Sequence, residues 1–295
     1  MKKLYDLVEK AKSQEKKRVV VIGAEDVEAL KAVSMAEEEG FVEPVLVGKS
    51  EVIKAELEKM NKNYEIVDAR DSYEAAEKGV RLVSSGTADV VLKGDIKTAI
   101  LLKAVLNKEW GLRTGSVLSH VIAMETPHLE KLLFVTDGGM IVKPTLDEKV
   151  SIINNSVKIV KSIGVEVPKV AVLAAVEVVN PAMPETTEAA ILTQMNRRGQ
   201  ISGCIVDGPL ALDNALSEMA AKIKKVTGDV AGKADILVVP DIHSGNLLGK
   251  SAVYLAGGNI AGVIAGAAAP VVIVSRADNS QAKLASLALG VLSSK

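Results

Sequence analysis

Short runs of valine, isoleucine and leucine alternate with longer amphipathic stretches along the 295 residues of this chain. The short runs have the length and composition of strands that are buried on both faces of a sheet. The longer stretches place apolar residues three and four positions apart, the spacing that gives a helix one apolar face. Alternation of this kind is typical of βαβ units, so the sequence predicts an α/β protein built on parallel strands.

The two kinds of stretch give a set of predicted elements. Strands are predicted at residues 18–23, 44–47, 64–67, 89–93, 131–136, 169–174, 201–207, 235–240, 261–264 and 270–275. Helices are predicted at residues 25–39, 50–61, 72–84, 97–106, 147–162, 185–197 and 214–226.

One segment of the sequence has an internal copy. Gly-x-Ala-Asp, a short apolar core and Asp-Ile-x-Ser/Thr occur at residues 86–98 and again at 232–244, at a constant offset of 146 positions. The offset is about half of the chain, which indicates two α/β halves of similar construction. A chance likeness between two ordinary strand-to-helix turns is the alternative.

Charge and residue usage argue against several classes of protein. The 36 Lys and Arg residues against 37 Asp and Glu residues leave no field that would favour nucleic acid, and 2% aromatic residues are too few for a base-stacking groove. The single Cys204 cannot form an internal disulfide or a multi-cysteine metal site. No apolar run reaches the roughly 18 residues of a membrane span. Residues 1–17 are charged and lack a signal sequence, so we expect a cytoplasmic protein.

Small and polar residues follow several predicted strands, where a parallel sheet presents helix N-termini to anionic ligands. The sharpest case is Ser275-Arg276, because a guanidinium directly after a buried strand suits a phosphate. An ion pair between Arg276 and Asp278 at a helix start is the alternative, and Ser275 and Ser280 have the alternative role of helix caps. The other clusters are residues 93–98, 114–120, 136–139 and 240–246.

Four familiar kinds of site fit less well. Residues 244–251 match the nucleotide P-loop except at Ser244, which replaces its first glycine, and only 44 residues remain for the later strands of that fold. Lys250 then either lies near an anion or is a solvated lysine. The dinucleotide motif G-x-G-x-x-G is absent, and the histidines lack a metal-binding spacing. Ser119 beside His120 resembles a nucleophile and base, but adjacent side chains point apart.

Taken together and in this order, the strand-end residues resemble the phosphate acetyl/butyryltransferase family, and in particular its shorter butyryl branch. The resemblance spans nearly the whole chain. It is carried by residues 88–94 with Thr98, 116–120, 136–139, 175–184, 207–214, 240–250 and 275–276.

The resemblance implies a fold of two α/β domains of the isocitrate/isopropylmalate dehydrogenase type, with the active cleft between them. On that basis we assign residues 1–139 with 267–295 to the first domain and residues 140–266 to the second. It further implies a homodimer or larger assembly that uses no metal and no redox cofactor.

The implied reaction is the reversible transfer of a short acyl group, which we expect to be butyryl, between CoA and inorganic phosphate. Direct attack in a ternary complex, with acyl-CoA, phosphate and acyl phosphate as ligands, needs no acyl-enzyme. Cys204 is accordingly expected to be a small buried residue. The alternatives are a phosphate acetyltransferase, a non-catalytic regulatory module of the same fold that binds CoA or acyl phosphate, and a dehydrogenase of the related fold.

The expected catalytic residues are Ser275 and Arg276, by similarity, and Asp278, as the nearest carboxylate in the sequence. The Ser-Arg pair is the family's proposed phosphate-binding and thiolate-stabilising element. The acetyl branch has an acidic residue about six positions beyond the arginine, where this chain has Ala282. The expected substrate-binding residues are Lys93, Thr98, Ser116, Ser119, His120, Asn246 and Lys250.

The departure at Ala282 leaves the base that deprotonates the CoA thiol open. Asp278 is the nearest carboxylate in the sequence, and His120, His243 and Asp241 are the other candidates. Acyl-chain preference is expected to depend on Met140, Met183 and the loop at residues 180–184.

Overall fold

The computed structural model describes residues 1–274 and 279–294. Ser275, Arg276 and Asp278 therefore lie outside the described residues. The strands of the described part are β1 (Lys17–Ile22), β2 (Val42–Gly48), β3 (Glu65–Asp68), β4 (Val90–Lys93), β5 (Ser119–Glu125), β6 (Leu133–Thr136), β7 (Lys169–Leu173), β8 (Ile205–Leu210), β9 (Ile236–Val238), β10 (Asn259–Ala265) and β11 (Val271–Ile273).

The helices begin where the sequence supplies caps. Asp26, Asp71, Asp241 and Asn279 each accept hydrogen bonds from N–H groups of a first turn, and Thr145 forms a capping box with Glu148. The helices are α1 (Tyr5–Lys12), α2 (Val27–Glu38), α3 (Ser50–Lys59), α4 (Ser72–Ser84), α5 (Thr98–Val105), α6 (Leu146–Ser162), α7 (Pro184–Arg197), α8 (Leu212–Leu216), α9 (Glu218–Ile223), α10 (Ile242–Tyr254) and α11 (Ser280–Ser293).

The α/β class is confirmed, and the differences lie in particular elements. Strand β5 and helices α1, α10 and α11 were not predicted. The single helix predicted at 214–226 is two short helices, α8 and α9, because Ser217 ends the first and caps the second. Strand β8 begins four residues later than the predicted strand and continues through Gly208 and Pro209.

The chain forms two compact units. The split unit consists of Leu4–Ser116 and Ala261–Lys295. Its strand order is β3-β2-β1-β4-β11-β10, and all neighbours are parallel except β10 and β11. The parallel strands therefore end at one edge, where the loops after β1, β2, β3 and β4 lie side by side.

The central unit consists of Met1–Lys3 and Val117–Ile260. Its strand order is β5-β6-β9-β7-β8, with parallel pairing except between β5 and β6. Apolar residues from β5, β6, β7 and β9 share one buried cluster with residues of α8 and α10. Helix α10 thereby packs against β5 and β6.

The boundaries between the two compact units lie after residue 116 and after residue 260. The sequence analysis placed them after residue 139 and after residue 266. Residues 117–139 fall in the central unit because β5 pairs with β6, and β6 with β9. Residues 261–266 fall in the split unit because β10 pairs with β11. The internal copy lies on β4 and its loop in the split unit and on β9 and its loop in the central unit, one copy in each.

None of the helices within residues 1–274 and 279–294 has the length and apolar character needed to cross a bilayer.

Helix α11 carries a buried lysine whose ion pair with Glu28 should make the stability of the split unit sensitive to acid. Lys283 is 5% exposed and donates to Glu28 of α2 at 2.7 Å. Hydrogen bonds from Lys283 first and Lys31 second lower the pKa of Glu28 from 4.5 to about 2. A lowered carboxyl pKa stabilises the fold above the ordinary pKa, and that stabilisation is lost as the pH falls toward the folded value.

We expect the thermal midpoint of the wild type to fall more steeply between about pH 5 and about pH 2 than that of Glu28→Gln. Thermal unfolding followed by circular dichroism over this pH range measures both midpoints. The difference between the two proteins reports Glu28 alone, because the other carboxylates contribute equally to both. Parallel curves for the two proteins would show that the Glu28–Lys283 pair contributes nothing to acid sensitivity.

Candidate active site

The split unit holds three of the expected substrate-binding residues. Lys93 is the last residue of β4, and its Nζ donates to the carbonyl oxygen of Gly94 at 3.2 Å. Thr98 is the exposed first residue of α5. The Ser116 N–H donates to Thr114 Oγ1 at 3.2 Å, in the loop that leads to the central unit. Lys93 and Thr98 lie at and after the end of a strand, as the sequence predicted. Ser116 instead precedes β5 and follows α5, so the expectation that residues 114–120 follow a strand is wrong.

The loop after β4 is fixed against the loop after β1. The N–H of Asp95 donates to the carbonyl of Gly23 at 2.6 Å, and the N–H of Gly94 donates to that of Ile22 at 2.8 Å. A methyl group on Gly94 would lie 2.9 Å from the carbonyl carbon of Gly23 and overlap its oxygen. Only glycine at position 94 permits this approach, which places Asp95 and the start of α5 at the carboxyl edge of the sheet.

A pocket that the sequence did not predict lies at the ends of β1, β2, β3 and β4. Its volume is about 380 Å³, and most of its lining residues are charged or polar. Charged residues within three positions of the end of each of these strands were the available signal in the sequence. The lining residues are Gly23, Glu25, Lys49, Val52, Arg70, Asp71, Ser72, Ala75 and Asp95.

The central unit places Ser119 and His120 next to each other on β5, so their side chains point to opposite faces of the sheet. Ser119 is 0% exposed, and its Oγ accepts from Asn155 Nδ2 of α6 at 2.9 Å. His120 is half-buried on the other face. The pair therefore cannot act as an adjacent nucleophile and base, and the Ser119 hydroxyl is directed into the packing between β5 and α6.

Asp137, directly after β6, organises the loop beside His120. The carboxylate is 2% exposed. Its Oδ1 accepts from the N–H groups of His120, Gly139 and Met140 at 3.1, 2.9 and 3.0 Å, and its Oδ2 accepts from Ile141 at 3.0 Å. Four backbone donors satisfy a buried charge that would otherwise be costly. The Thr-Asp-Gly-Gly motif marked this segment in the sequence, but only the backbone geometry reveals what the aspartate does.

The two glycines of that loop separate His120 from α10. A methyl group on Gly139 would lie 2.7 Å from His120 Nδ1, so the imidazole packs on the Gly139 α-carbon. A methyl group on Gly138 would lie 2.7 Å from the carbonyl carbon of Gly245 and 3.0 Å from the nitrogen of Asn246. The glycine loop is thus in close contact with both a histidine and the first turns of α10.

Helix α10 carries Asn246 and Lys250, both exposed. Asp241 caps this helix and accepts from the N–H of Ser244 at 2.8 Å and from its hydroxyl at 2.7 Å. These two hydrogen bonds lower the pKa of Asp241, and the one from the backbone N–H has the larger effect. Residues 244–251 are helical throughout, so the P-loop alternative is excluded, because its phosphate-binding run must be a loop before a helix.

The loops after β7 and β8 have their own internal partners. Thr186 Oγ1, in the first turn of α7, accepts from the N–H of Asn180 and donates to the carbonyl oxygen of the same residue. The loop at residues 180–187 is therefore held by its own hydrogen bonds. Asp213 pairs with Lys224 at 3.0 Å. Burial raises the pKa of Asp207.

Cys204 is buried, and burial raises the pKa of its thiol to about 11. We expect iodoacetamide near neutral pH to label the native protein at least about tenfold more slowly than the urea-unfolded protein, because the thiolate is the reactive form. Mass spectrometry over time measures both rates. Cys204→Ala should retain turnover, and rapid native labelling would contradict the buried, protonated state.

Within residues 1–274 and 279–294, no group of three or more His, Cys, Asp or Glu side chains is placed to hold a metal ion.

The fold and these strand-end loops agree with comparisons to known proteins. The family described as "Phosphate acetyl/butaryl transferase" matches residues 3–78 and 62–291. A protein of Clostridium acetobutylicum named phosphate butyryltransferase is 48% identical over 99% of this chain and 98% of its own length. The crystal structure of a branched-chain phosphotransacylase from Enterococcus faecalis has 33% identity and a TM-score of 0.82, covering 94% of this chain and 98% of that one.

The chain is an acyltransferase by this evidence. It belongs to the phosphate acetyl/butyryl transferase family, as the strand-end residues predicted. A 4-hydroxythreonine-4-phosphate dehydrogenase from Klebsiella pneumoniae shares the fold alone, with 13% identity and a TM-score of 0.56 over 94% of this chain and 100% of that chain. The predicted likeness to a dehydrogenase-type α/β fold is thereby confirmed.

Proposed function

We propose that this protein transfers a short acyl group, with butyryl preferred, between CoA and inorganic phosphate. The observation that carries the proposal is 48% identity, over nearly the full length of both chains, to a protein named phosphate butyryltransferase. The Ser275-Arg276 pair, on which the family resemblance places phosphate binding, is present in the sequence. CoA is a substrate in this reaction, and we propose no cofactor and no metal.

In the direction of acyl phosphate formation, a phosphate oxygen attacks the thioester carbonyl carbon and the O–C bond forms. The C–S bond breaks, its electron pair goes to sulfur, and the proton released by the phosphate reaches the CoA thiolate. Arg276 holds the phosphate with paired N–H donors and offsets the negative charge that grows in the transition state. Ser275 and Asp278 complete the proposed catalytic set.

The surroundings of Ala282 and Asp241 narrow the choice of the residue that exchanges a proton with the CoA thiol. Ala282, at the position of the acetyl branch's acid, is 5% exposed and lies inside the first turn of α11, where its N–H donates to Asn279. The lowered pKa of Asp241 makes that carboxylate a weak base. We therefore propose His120, His243 or Asp278 for the thiol proton. Ser119 is left out of the ligand-binding set, because its fully buried hydroxyl accepts from Asn155 of α6. The residues proposed to bind the ligands are Lys93, Thr98, Ser116, Asn246 and Lys250.

The test is thiol release from acetyl-, propionyl-, butyryl-, isobutyryl- and octanoyl-CoA, with and without phosphate, on metal-free protein. We expect phosphate-dependent release with a maximum at four carbons. A maximum at acetyl-CoA would keep the reaction and change the preferred substrate to the acetyl group. No release from any substrate, with CoA binding retained, would overturn the proposal in favour of the non-catalytic module.

We also propose a homodimer or larger assembly. Sedimentation equilibrium of the purified protein decides this point, and a mass near 31.0 kDa would contradict it.

A further inference from the structure

We propose that Asp137 and Gly139 are positioning residues that fix the His120 imidazole for substrate contact, an inference that rests on the acyl-transfer function proposed above. His120 is the residue that touches the substrate in this proposal. Asp137 acts through the backbone of His120 and of the loop, and Gly139 acts through the space it leaves for the ring.

The Asp137 carboxylate ties β5 to the loop after β6. Its Oδ1 receives the N–H of His120 from one side and those of Gly139 and Met140 from the other. One oxygen therefore sets the distance between the His120 backbone and the Gly139 backbone. The second oxygen receives Ile141, so both oxygens must be acceptors, which a carboxylate satisfies and an amide does not.

Thr136 adds a second tie between the same two segments. Its Oγ1 donates to the carbonyl oxygen of His120 at 2.9 Å, and the residue is fully buried. Both backbone groups of His120 are thus held by residues 136 and 137. These ties act on the backbone and do not themselves limit rotation of the His120 side chain.

Gly139 restricts that rotation. A methyl group at this position would lie 2.7 Å from Nδ1 and 3.2 Å from Cβ and Cγ of His120, so the Nδ1 side of the imidazole lies directly against the glycine. The φ angle of Gly139 is not among the positive values of this chain. Backbone conformation therefore does not require glycine here, whereas contact with the imidazole does.

The contact on the other side of the loop explains why this arrangement is rigid. Gly138 packs against the backbone of Gly245 and Asn246 at distances that allow no side chain. The loop cannot retreat from His120 without displacing α10. A substituent on Gly139 must consequently move the imidazole rather than the loop.

The experiment compares Gly139→Ala, Asp137→Asn, His120→Gln and the double variant Gly139→Ala/His120→Gln. Gly249→Ala is the matched control, because its methyl would lie at an ordinary 3.4 Å from Ile122 Cδ1 within the same unit. The readouts are kcat and KM for butyryl-CoA and phosphate, the thermal midpoint, and the imidazole C–H signals in the NMR spectrum. His120→Gln identifies which of the 3 histidine signals belongs to His120.

We expect Gly139→Ala to lower kcat by about tenfold to a hundredfold, because displacing a group that contacts the substrate by about 1 Å can cost about a hundredfold in rate. The His120 signal should shift, and the thermal midpoint should stay close to that of the wild type. In the His120→Gln background the Gly139→Ala change should have little further effect on kcat, because its target is absent. Asp137→Asn should also lower kcat and shift the His120 signal.

Three results would overturn the proposal: equal losses of kcat from Gly139→Ala with and without His120, an unmoved His120 signal in both single variants, or a His120→Gln protein with wild-type kinetics. Asp137→Asn with a lower thermal midpoint but unchanged kcat and signal would assign Asp137 a purely structural role. If the wild type releases no thiol at all, the acyl-transfer function fails, while the NMR signal still decides whether the two residues hold the ring.

Discussion

Replacing Arg276 with alanine is expected to lower the kcat of phosphate-dependent thiol release by about a hundredfold to a thousandfold. This is the usual cost of removing a donor that is aimed at developing negative charge. The KM for phosphate should rise as well, because a guanidinium binds phosphate with two parallel hydrogen bonds before any bond is made.

The conservative variant separates charge from geometry. Arg276→Lys keeps the positive charge but loses the planar pair of donors, so we expect it to recover part of the phosphate affinity and little of kcat. Arg198→Ala is the matched control, since Arg198 is an exposed arginine directly after α7. Initial rates at varied phosphate and butyryl-CoA concentrations measure these effects, and thermal midpoints check folding. Kinetics of Arg276→Ala close to the wild type would remove this residue from the site.

The second large effect is expected from Gly94→Ala, this time on stability. The added methyl would meet the backbone of Gly23 and Ile22, which lie at and just after the end of β1 and have no flexible side-chain atoms to yield. We expect the free energy of unfolding to fall by about 3 kcal/mol or more, at the upper end of the range for overpacking.

Urea unfolding followed by circular dichroism measures this loss. Gly249→Ala is again the appropriate control, because it adds the same methyl in a helix with ordinary contacts, where alanine is favoured over glycine by about 1 kcal/mol. Equal stability of Gly94→Ala and the wild type would show that the two loops can separate at no cost.

The elements that the sequence predicted well are those whose pattern is local. Helix α4 was predicted with its observed bounds, since Asp71 caps it and its apolar residues recur on one face. Helix α11 was missed because nearly every residue from Ala282 to Leu292 is buried, which removes the polar face that identifies an amphipathic helix. Strand β5 was missed because its first residues, Ser119 and His120, are polar and were grouped with the polar cluster at residues 114–120.

The residue types of the candidate site were predictable and their surroundings were not. His120 and the Thr-Asp-Gly-Gly motif stand out in the sequence, but nothing in it indicates that one buried carboxylate collects four backbone N–H groups. Helix α10 was not predicted, since Gly245 and Gly249 are residues that disfavour a helix interior. In the structure Gly245 permits contact with Gly138, a reason for glycine that only packing reveals.

The division of the split unit has a consequence for biosynthesis. Strand β11 lies beside β4, and α11 packs on α1 and α2, so residues after 260 complete a core begun by residues before 117. That core cannot close until β11 and α11 have been synthesised, while residues 117–260 emerge as one continuous stretch. During translation the apolar faces of α1 and α2 remain exposed until α11 covers them. The central unit can therefore fold before the split unit. Nascent chains stalled after residue 260 should accordingly expose more chaperone-binding surface in their first 116 residues than in the stretch that follows.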